Sequence, residues 1–136
     1  MHTLPAPLPL QLTLDGTRFD DIAGFYAEIN RVFMAGEDWQ LGPSLDALDD
    51  LLYGGYGAAK DAQAVQLLWR GFEGSREALG VAATRHWLQQ KLAQPGHFNA
   101  EAIQRQLEAL EADGPTYFDI VLEIFDGHPE ITVLRG

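Results

Sequence analysis

The sequence contains no cysteine. Disulfides, thiolate metal sites and cysteine nucleophiles are thereby excluded together, and the absence fits a reducing compartment. Basic residues are scarce: 9 Lys and Arg stand against 20 Asp and Glu, giving a formal charge of −11 and a pI near 4.5. A phosphate backbone or an anionic bilayer would be repelled, so neither nucleic acid nor a membrane surface is expected as a direct ligand. A cationic partner is the electrostatic complement, with solubility alone as the competing reason for the charge. Long apolar runs are also missing, and nothing approaches the ~20 residues that span a bilayer. Residues 1–10 are apolar but carry no Lys or Arg ahead of the apolar stretch, and Pro5, Pro7 and Pro9 interrupt it. That is not the pattern of a secretory signal, and a soluble, cytoplasmic chain is expected.

What remains is 136 residues, 46% of them hydrophobic. The length suits one domain, and the apolar content is too high for a disordered acidic tail. Residues 1–9 are expected to be a flexible lead-in and 10–136 a single domain. Leu10, Leu12 and Leu14 alternate with Gln11 and Thr13, the period of a half-buried strand closed by Asp15-Gly16. Ile22, Phe25, Tyr26, Ile29 and Phe33 then share one face of a helix over Asp21–Ala35, with Gly24 as its weak point. Gly36 to Pro43 is a loop carrying Trp39 and Gly42, and Ser44 is placed to cap a helix over Leu45–Tyr53. Gly54-Gly55-Tyr56-Gly57 stops that helix. Val65–Trp69 reads as a second strand, followed by helices over Phe72–Leu79, Ala82–Leu92 and, after Pro95-Gly96, Asn99–Ala112. Beyond Asp113-Gly114-Pro115, Tyr117–Phe125 reads as the strongest strand in the chain. Asp126 to Pro129 forms a turn with His128, and Glu130–Leu134 is a last strand placed to pair with it as a hairpin. Strands alternating with helices predict an α/β fold with a mainly parallel sheet, and leave room for an extra C-terminal antiparallel strand.

The helix at 45–53 has two faces. Leu45, Leu48 and Leu52 share one, while Asp46, Asp49, Asp50 and Tyr53 recur at i, i+3, i+4 and i+7 on the other. Like charges at these spacings cost roughly 0.2–0.5 kcal/mol per exposed pair. The segment holds no Lys or Arg, although the helix N-terminus offsets part of the cost. A solvated face accounts for the pattern without function. A metal site would need ligands that the segment does not supply, and it lacks the EF-hand spacing. Paired carboxylates can serve acid–base catalysis, but only in a cleft. Recognition of a cationic protein surface uses the acids together with the neighbouring aromatics Trp39, Tyr53 and Tyr56.

The run Gly42-Pro43-Ser44-Leu45-Asp46-Ala47-Leu48-Asp49-Asp50-Leu51-Leu52 resembles the G-x-N-L-D-A-L-W-D-x-L signature of the barstar family, inhibitors of the ribonuclease barnase. Leu67-Leu68-Trp69-Arg70-Gly71-Phe72-Glu73-Gly74-Ser75 is similar to that family's L-E-W-R-x-F-E-x-S. Leu12–Phe19 looks like its first strand and turn, so the resemblance covers about residues 10–80. It implies a small three-stranded parallel sheet packed by helices, with 81–136 as an extended C-terminal part. It further implies an intracellular, immunity-type inhibitor that blocks the active site of a basic ribonuclease. Asp46 and Asp50 match the two signature acids, and the second is the one that enters the nuclease's phosphate-binding site. The chain departs from the pattern at contact positions. The family's Trp between the acids is Asp49, its Tyr before the signature Gly is Gln40 beside Leu41, with Trp39 one place off, and its later Trp is approximately Tyr56. A distal family Glu on the last helix corresponds to Glu108 or Glu111.

Other candidates are weaker. His2, His86, His97 and His128 have no metal-ligand spacing among themselves. His97 and His128 read as turn residues and His86 as a helix-surface or partly buried residue. Ser75 lacks a nucleophile elbow, and Gly54–Gly57 lacks the Lys-Ser/Thr of a phosphate loop. Trp69 and Trp87 read as core. The expected protein is therefore non-enzymatic, with no catalytic residue, metal or cofactor. Its expected partner-binding set is Trp39, Gly42, Ser44, Asp46, Asp49, Asp50, Tyr53 and Tyr56. The alternatives are an adaptor domain for another cationic protein and a small carboxylate- or metal-dependent hydrolase.

Overall fold

Three parallel strands form one sheet in the order β1 (Leu10–Asp15), β2 (Val65–Arg70), β3 (Ile131–Arg135). The structure, a computed structural model, describes residues 8–94, 96 and 98–136. The lead-in expected at 1–9 (except Leu8 and Pro9) and the break and turn expected at Pro95 and His97 lie outside the described residues. Leu10 pairs with Val65 and Leu14 with Trp69, while Val65 pairs with Ile131 and Trp69 with Arg135. Between the strands run α1 (Ile22–Phe33), α2 (Leu45–Leu52), α3 (Phe72–Ala78), α4 (Val81–Leu92), α5 (Ala100–Glu111) and α6 (Tyr117–Asp126). A 3-10 turn at Gly16–Arg18 leads from β1 toward α1.

The strands alternate inward and outward, so one face of the sheet is buried and the other is open. Leu14, Val65, Leu67, Trp69 and Ile131 are buried, whereas Gln11, Thr13, Leu68, Thr132 and Leu134 are exposed. Trp69, fully buried at the middle of the sheet, is the hub of the core. Its ring lies nearly parallel to Phe25 at 6.0 Å and meets Phe72, Phe118 and Phe125 edge-on at 5.5–5.9 Å. Its indole N–H donates to Ser75 Oγ at 2.9 Å, so the one polar atom of the ring is satisfied inside the core. This accounts for the Trp69, Phe72 and Ser75 spacing seen in the sequence. On the other side of the core the Tyr26 and Tyr117 hydroxyls lie 2.6 Å apart, and burial pushes both phenols up from their ordinary range.

Helix starts follow the capping rules. Asp21 accepts from Gly24 N–H at 2.7 Å and opens α1, and Asn99 accepts from Ala102 N–H at 3.1 Å and opens α5. Gly24 is required by a close approach rather than by its backbone angles: a Cβ there would sit 2.8 Å from Phe19 Cβ.

Residues 117–125 correct the sequence reading. The expected strand is α6, and no hairpin with β3 exists, since β3 pairs parallel with β2. The β-branched and aromatic content favours a strand, but the burial period is helical. Tyr117, Phe118, Val121 and Phe125 are buried while Asp119 and Glu123 are exposed. Thr116 and Asp119 add a capping box: Asp119 N–H donates to Thr116 Oγ1 at 3.3 Å and Thr116 N–H donates to Asp119 Oδ2 at 2.9 Å. The extra C-terminal antiparallel strand is therefore absent among the described residues, and β3 completes the three-stranded parallel sheet.

Glu28 ties α1 to the end of β1. Its buried carboxylate accepts from Asp15 N–H at 2.7 Å and from Arg31 Nε and Nη2 at 2.6 and 2.7 Å, with Arg18 at 3.2 Å. Burial alone would raise its pKa, but the hydrogen bonds and charges of Arg31, Asp15 N–H and Arg18 prevail and lower it. A carboxylate depressed on folding stabilises above the unfolded value, and that contribution is lost as pH falls through the folded value. The stability gap between wild type and Glu28→Gln is therefore expected to be full at neutral pH and to shrink on acidification below the ordinary glutamate range. Urea unfolding across that pH span checks it; a gap independent of pH would contradict it.

Candidate partner-binding site

α2 begins where Ser44 Oγ accepts from Ala47 N–H at 3.3 Å. Leu48, Leu51 and Leu52 are buried beneath it, and Leu45 only partly so, which adds Leu51 to the expected inner face. Asp46, Asp50 and Tyr53 are exposed and Asp49 is half-buried. The acidic stripe thus lies on the outer side of a short helix packed against α6.

The loop before α2 is held by a buried side chain. Asn30 on α1 donates from Nδ2 to Leu41 O at 3.1 Å and accepts from Leu41 N–H at 2.8 Å. Leu41 is buried, so the preceding residues Trp39 and Gln40 are left facing outward. Glu37 reaches across and accepts from Gly57 N–H at 3.0 Å, and Ala58 N–H donates to Phe33 O at 2.7 Å. Gly57 is needed there: its φ is +79°, and a Cβ would sit 2.8 Å from Phe33 O. These ties bring Trp39 against Tyr56, with ring centroids 4.9 Å apart. Asn30→Ala leaves two buried backbone groups of Leu41 without partners, a cost of about 2–4 kcal/mol at roughly 1–2 kcal/mol per group. Urea unfolding is expected to show that loss. A loss below about 0.5 kcal/mol would mean that the loop does not depend on Asn30.

The three α2 acids face different neighbours. Asp50 lies near Tyr56, whose phenol is pushed up by burial and then by the Asp50 charge. Asp46 lines a cleft of about 780 Å³ with Pro43, Ser44, Trp87 and Lys91. Lys91 stands over the Trp87 ring at 4.0 Å and the Phe98 ring at 5.2 Å; burial lowers its pKa and the Asp46 charge acts against that. Asp49 Oδ1 is 2.7 Å from Nε2 of His128, and the Tyr53 ring meets the His128 ring edge-on at 4.7 Å. The cation missing from the helix sequence is thus supplied by Lys91 on α4, and Asp49 finds its partner in His128 beyond α6.

The expected set divides accordingly. The structure brings Trp39, Asp50 and Tyr56 to one side and Asp49 with Tyr53 to the other, and it turns Asp46 toward the cleft. Ser44 uses its hydroxyl as a cap, and Gly42 is exposed with nothing within 4 Å of an added Cβ. His128 sits in the expected turn, yet it is buried at 3% exposure, and sequence reasoning missed its contact with Asp49. Nothing local announces that contact, because the two residues are 79 positions apart. Glu108 and Glu111 lie on α5 rather than on the last helix, which is α6, and Glu111 is paired with Arg85 at 2.7 Å. Among the described residues no three His, Asp or Glu side chains are grouped so as to hold a metal ion, and no helix is long and apolar enough to cross a membrane.

A family model described as Barstar (barnase inhibitor) matches residues 10–96. The match runs from β1 to just past α4 and includes α2 and the loop before it; α5, α6 and β3 lie outside it. No curated protein and no solved structure matches the chain. With nearly two thirds of its length inside that model, the chain belongs to the barstar family.

Proposed function

We propose that the protein is an intracellular inhibitor of a basic ribonuclease of the barnase type, acting through α2 and the loop before it. One observation carries the reading: within the family-matched segment, the exposed carboxylate of Asp50 on α2 lies beside the Trp39–Tyr56 pair. A carboxylate imitates a substrate phosphate, because both accept charge-assisted hydrogen bonds from Arg and Lys. Asp50 is the candidate for insertion, Asp46 supports it from the preceding turn, and Trp39, Tyr53 and Tyr56 supply aromatic contact. Gly42 and Ser44 shape the start of the helix. The site needs no metal or cofactor, and binding rather than turnover is the activity. Residues 10–136 act as one domain, since β3 near the chain's end pairs with central β2.

Gln40 and Asp49 stand where the family has aromatic residues. That favours a cognate ribonuclease different from barnase, and it is also what would favour a barstar-fold adaptor for another cationic protein. The two readings separate on ribonuclease activity: an adaptor binds without inhibiting.

A net charge of −11 steers a cationic partner. The association rate with a barnase-type ribonuclease, measured by stopped flow, is expected to fall at least about tenfold between low and high salt. A rate independent of salt would contradict electrostatic docking through the acidic face.

A further inference from the structure

Asp49 is set apart from the other two acids of α2. It is half-buried, and its Oδ1 meets Nε2 of His128 at 2.7 Å. His128 lies in the turn between α6 and β3, outside the segment matched by the family model. Its backbone is held on both sides: its N–H donates to Phe125 O at 3.0 Å and its carbonyl accepts from Ile131 N–H at 2.9 Å. Its other ring nitrogen, Nδ1, is 3.6 Å from Glu130 Oε1. The Tyr53 ring, 73% exposed, rests edge-on against the imidazole 4.7 Å away. Asp49 and Tyr53 are one turn apart on α2, so one buried imidazole touches two successive positions of the outer stripe.

We infer that His128 is a positioning residue for α2, holding Asp49 as a buttress and fixing Tyr53 as the aromatic group presented on that part of the face. A carboxylate already engaged by a charge-assisted hydrogen bond would have to give it up to pair with a partner's Arg or Lys. Asp49 therefore leaves the contact set, which becomes Asp46, Asp50 and the rings of Trp39, Tyr53 and Tyr56. The side chain presented where the family has a Trp is then the Tyr53 ring, supplied one turn later. The segment beyond residue 96 becomes part of the site through His128. The functional half of this inference rests on the reading of α2 as the partner-binding helix; the His128–Asp49 buttress does not.

The free protein tests the buttress. Imidazole nitrogen NMR is expected to show the neutral ring protonated at Nε2, with a slowly exchanging proton that Asp49→Asn shifts and Asp49→Ala abolishes. Hydrogen exchange at the Tyr53 and Gly54 amides, which close the last turn of α2, is expected to rise about tenfold in Asp49→Ala and in His128→Ala. The double variant should exchange no faster than the faster single, and His128→Gln, which keeps a donor, should recover part of the protection. A neutral ring protonated at Nδ1, an Nε2 signal indifferent to Asp49→Ala, or additive effects in the double variant would overturn the buttress. With a barnase-type ribonuclease as probe, Asp49→Asn is expected to change the dissociation constant less than about threefold and Tyr53→Ala more than about tenfold. A loss with Asp49→Asn equal to that of Asp50→Ala would return Asp49 to the contact set and overturn the functional half. Failure of the wild-type protein to inhibit would refute the inhibitor reading, while the free-protein measurements still decide the role of His128.

Discussion

Asp50→Ala is expected to weaken the complex with the cognate ribonuclease by roughly two to three and a half orders of magnitude. An inserted carboxylate leaves water for a cationic pocket, and removing it strands the partner's Arg and Lys charges. Breaking a buried pair in this way costs about 3–5 kcal/mol, and each 1.4 kcal/mol is tenfold in the dissociation constant. The loss cannot come from unfolding. Asp50 is exposed in the free protein, its removal relieves repulsion from Asp46 at i−4, and alanine is the better helix former. Glu77→Ala is the matched control. Glu77 is also exposed, but α3 leaves the C-terminal end of β2, whereas α2 meets His128 ahead of the N-terminal end of β3. In a parallel sheet those are opposite ends. Small and equal losses from the two variants, measured by titration calorimetry, would count against Asp50 as the inserted group.

Trp69→Ala is the corresponding test of the scaffold. The side chain is fully buried, shares ring contacts with Phe25, Phe72, Phe118 and Phe125, and satisfies Ser75. Large-to-small changes of an aromatic core residue cost about 3–5 kcal/mol, because both transfer energy and a cavity are involved. Against a typical total of about 5–15 kcal/mol this brings a domain of this size close to unfolding. Trp69→Phe should cost less, since much of the ring volume stays and chiefly the bond to Ser75 is lost. Urea unfolding gives both values, and a loss below about 1 kcal/mol for Trp69→Ala would mean that the core is not centred on this ring.

The strands and helices with one clear period were legible in the sequence. Alternation gave β1, the spacing from Ile22 to Phe33 gave α1, and Ser44 with the leucines behind it gave α2. α6 is masked in the sequence, because Ile120, Val121, Ile124 and three aromatic rings favour a strand by local preference. The competing signal was present: Thr116-x-x-Asp119 is a capping box, and Asp119 and Glu123 recur at helical spacing. Once α6 is a helix, a hairpin with β3 is impossible, and β3 is found parallel to β2.

The candidate site was legible as a stripe and illegible as an arrangement. Spacing on one helix states which acids share a face, but not which neighbour each one meets. Lys91 near Asp46 and His128 on Asp49 come from packing between elements distant in the chain, and Asn30 holds Leu41 where the loop after α1 folds back on the helix. His128 in an Asp-Gly-His-Pro run carries every local mark of an exposed turn, and burial reverses that reading.

The most direct measurement is hydrolysis of RNA by a basic barnase-type ribonuclease, taken from the protein's own genomic neighbourhood where one is encoded, titrated with the purified protein. Activity is expected to fall linearly to zero at one inhibitor per enzyme, and Asp50→Ala is expected to displace the curve far to the right. Undiminished hydrolysis at a large excess, with or without binding, would contradict it.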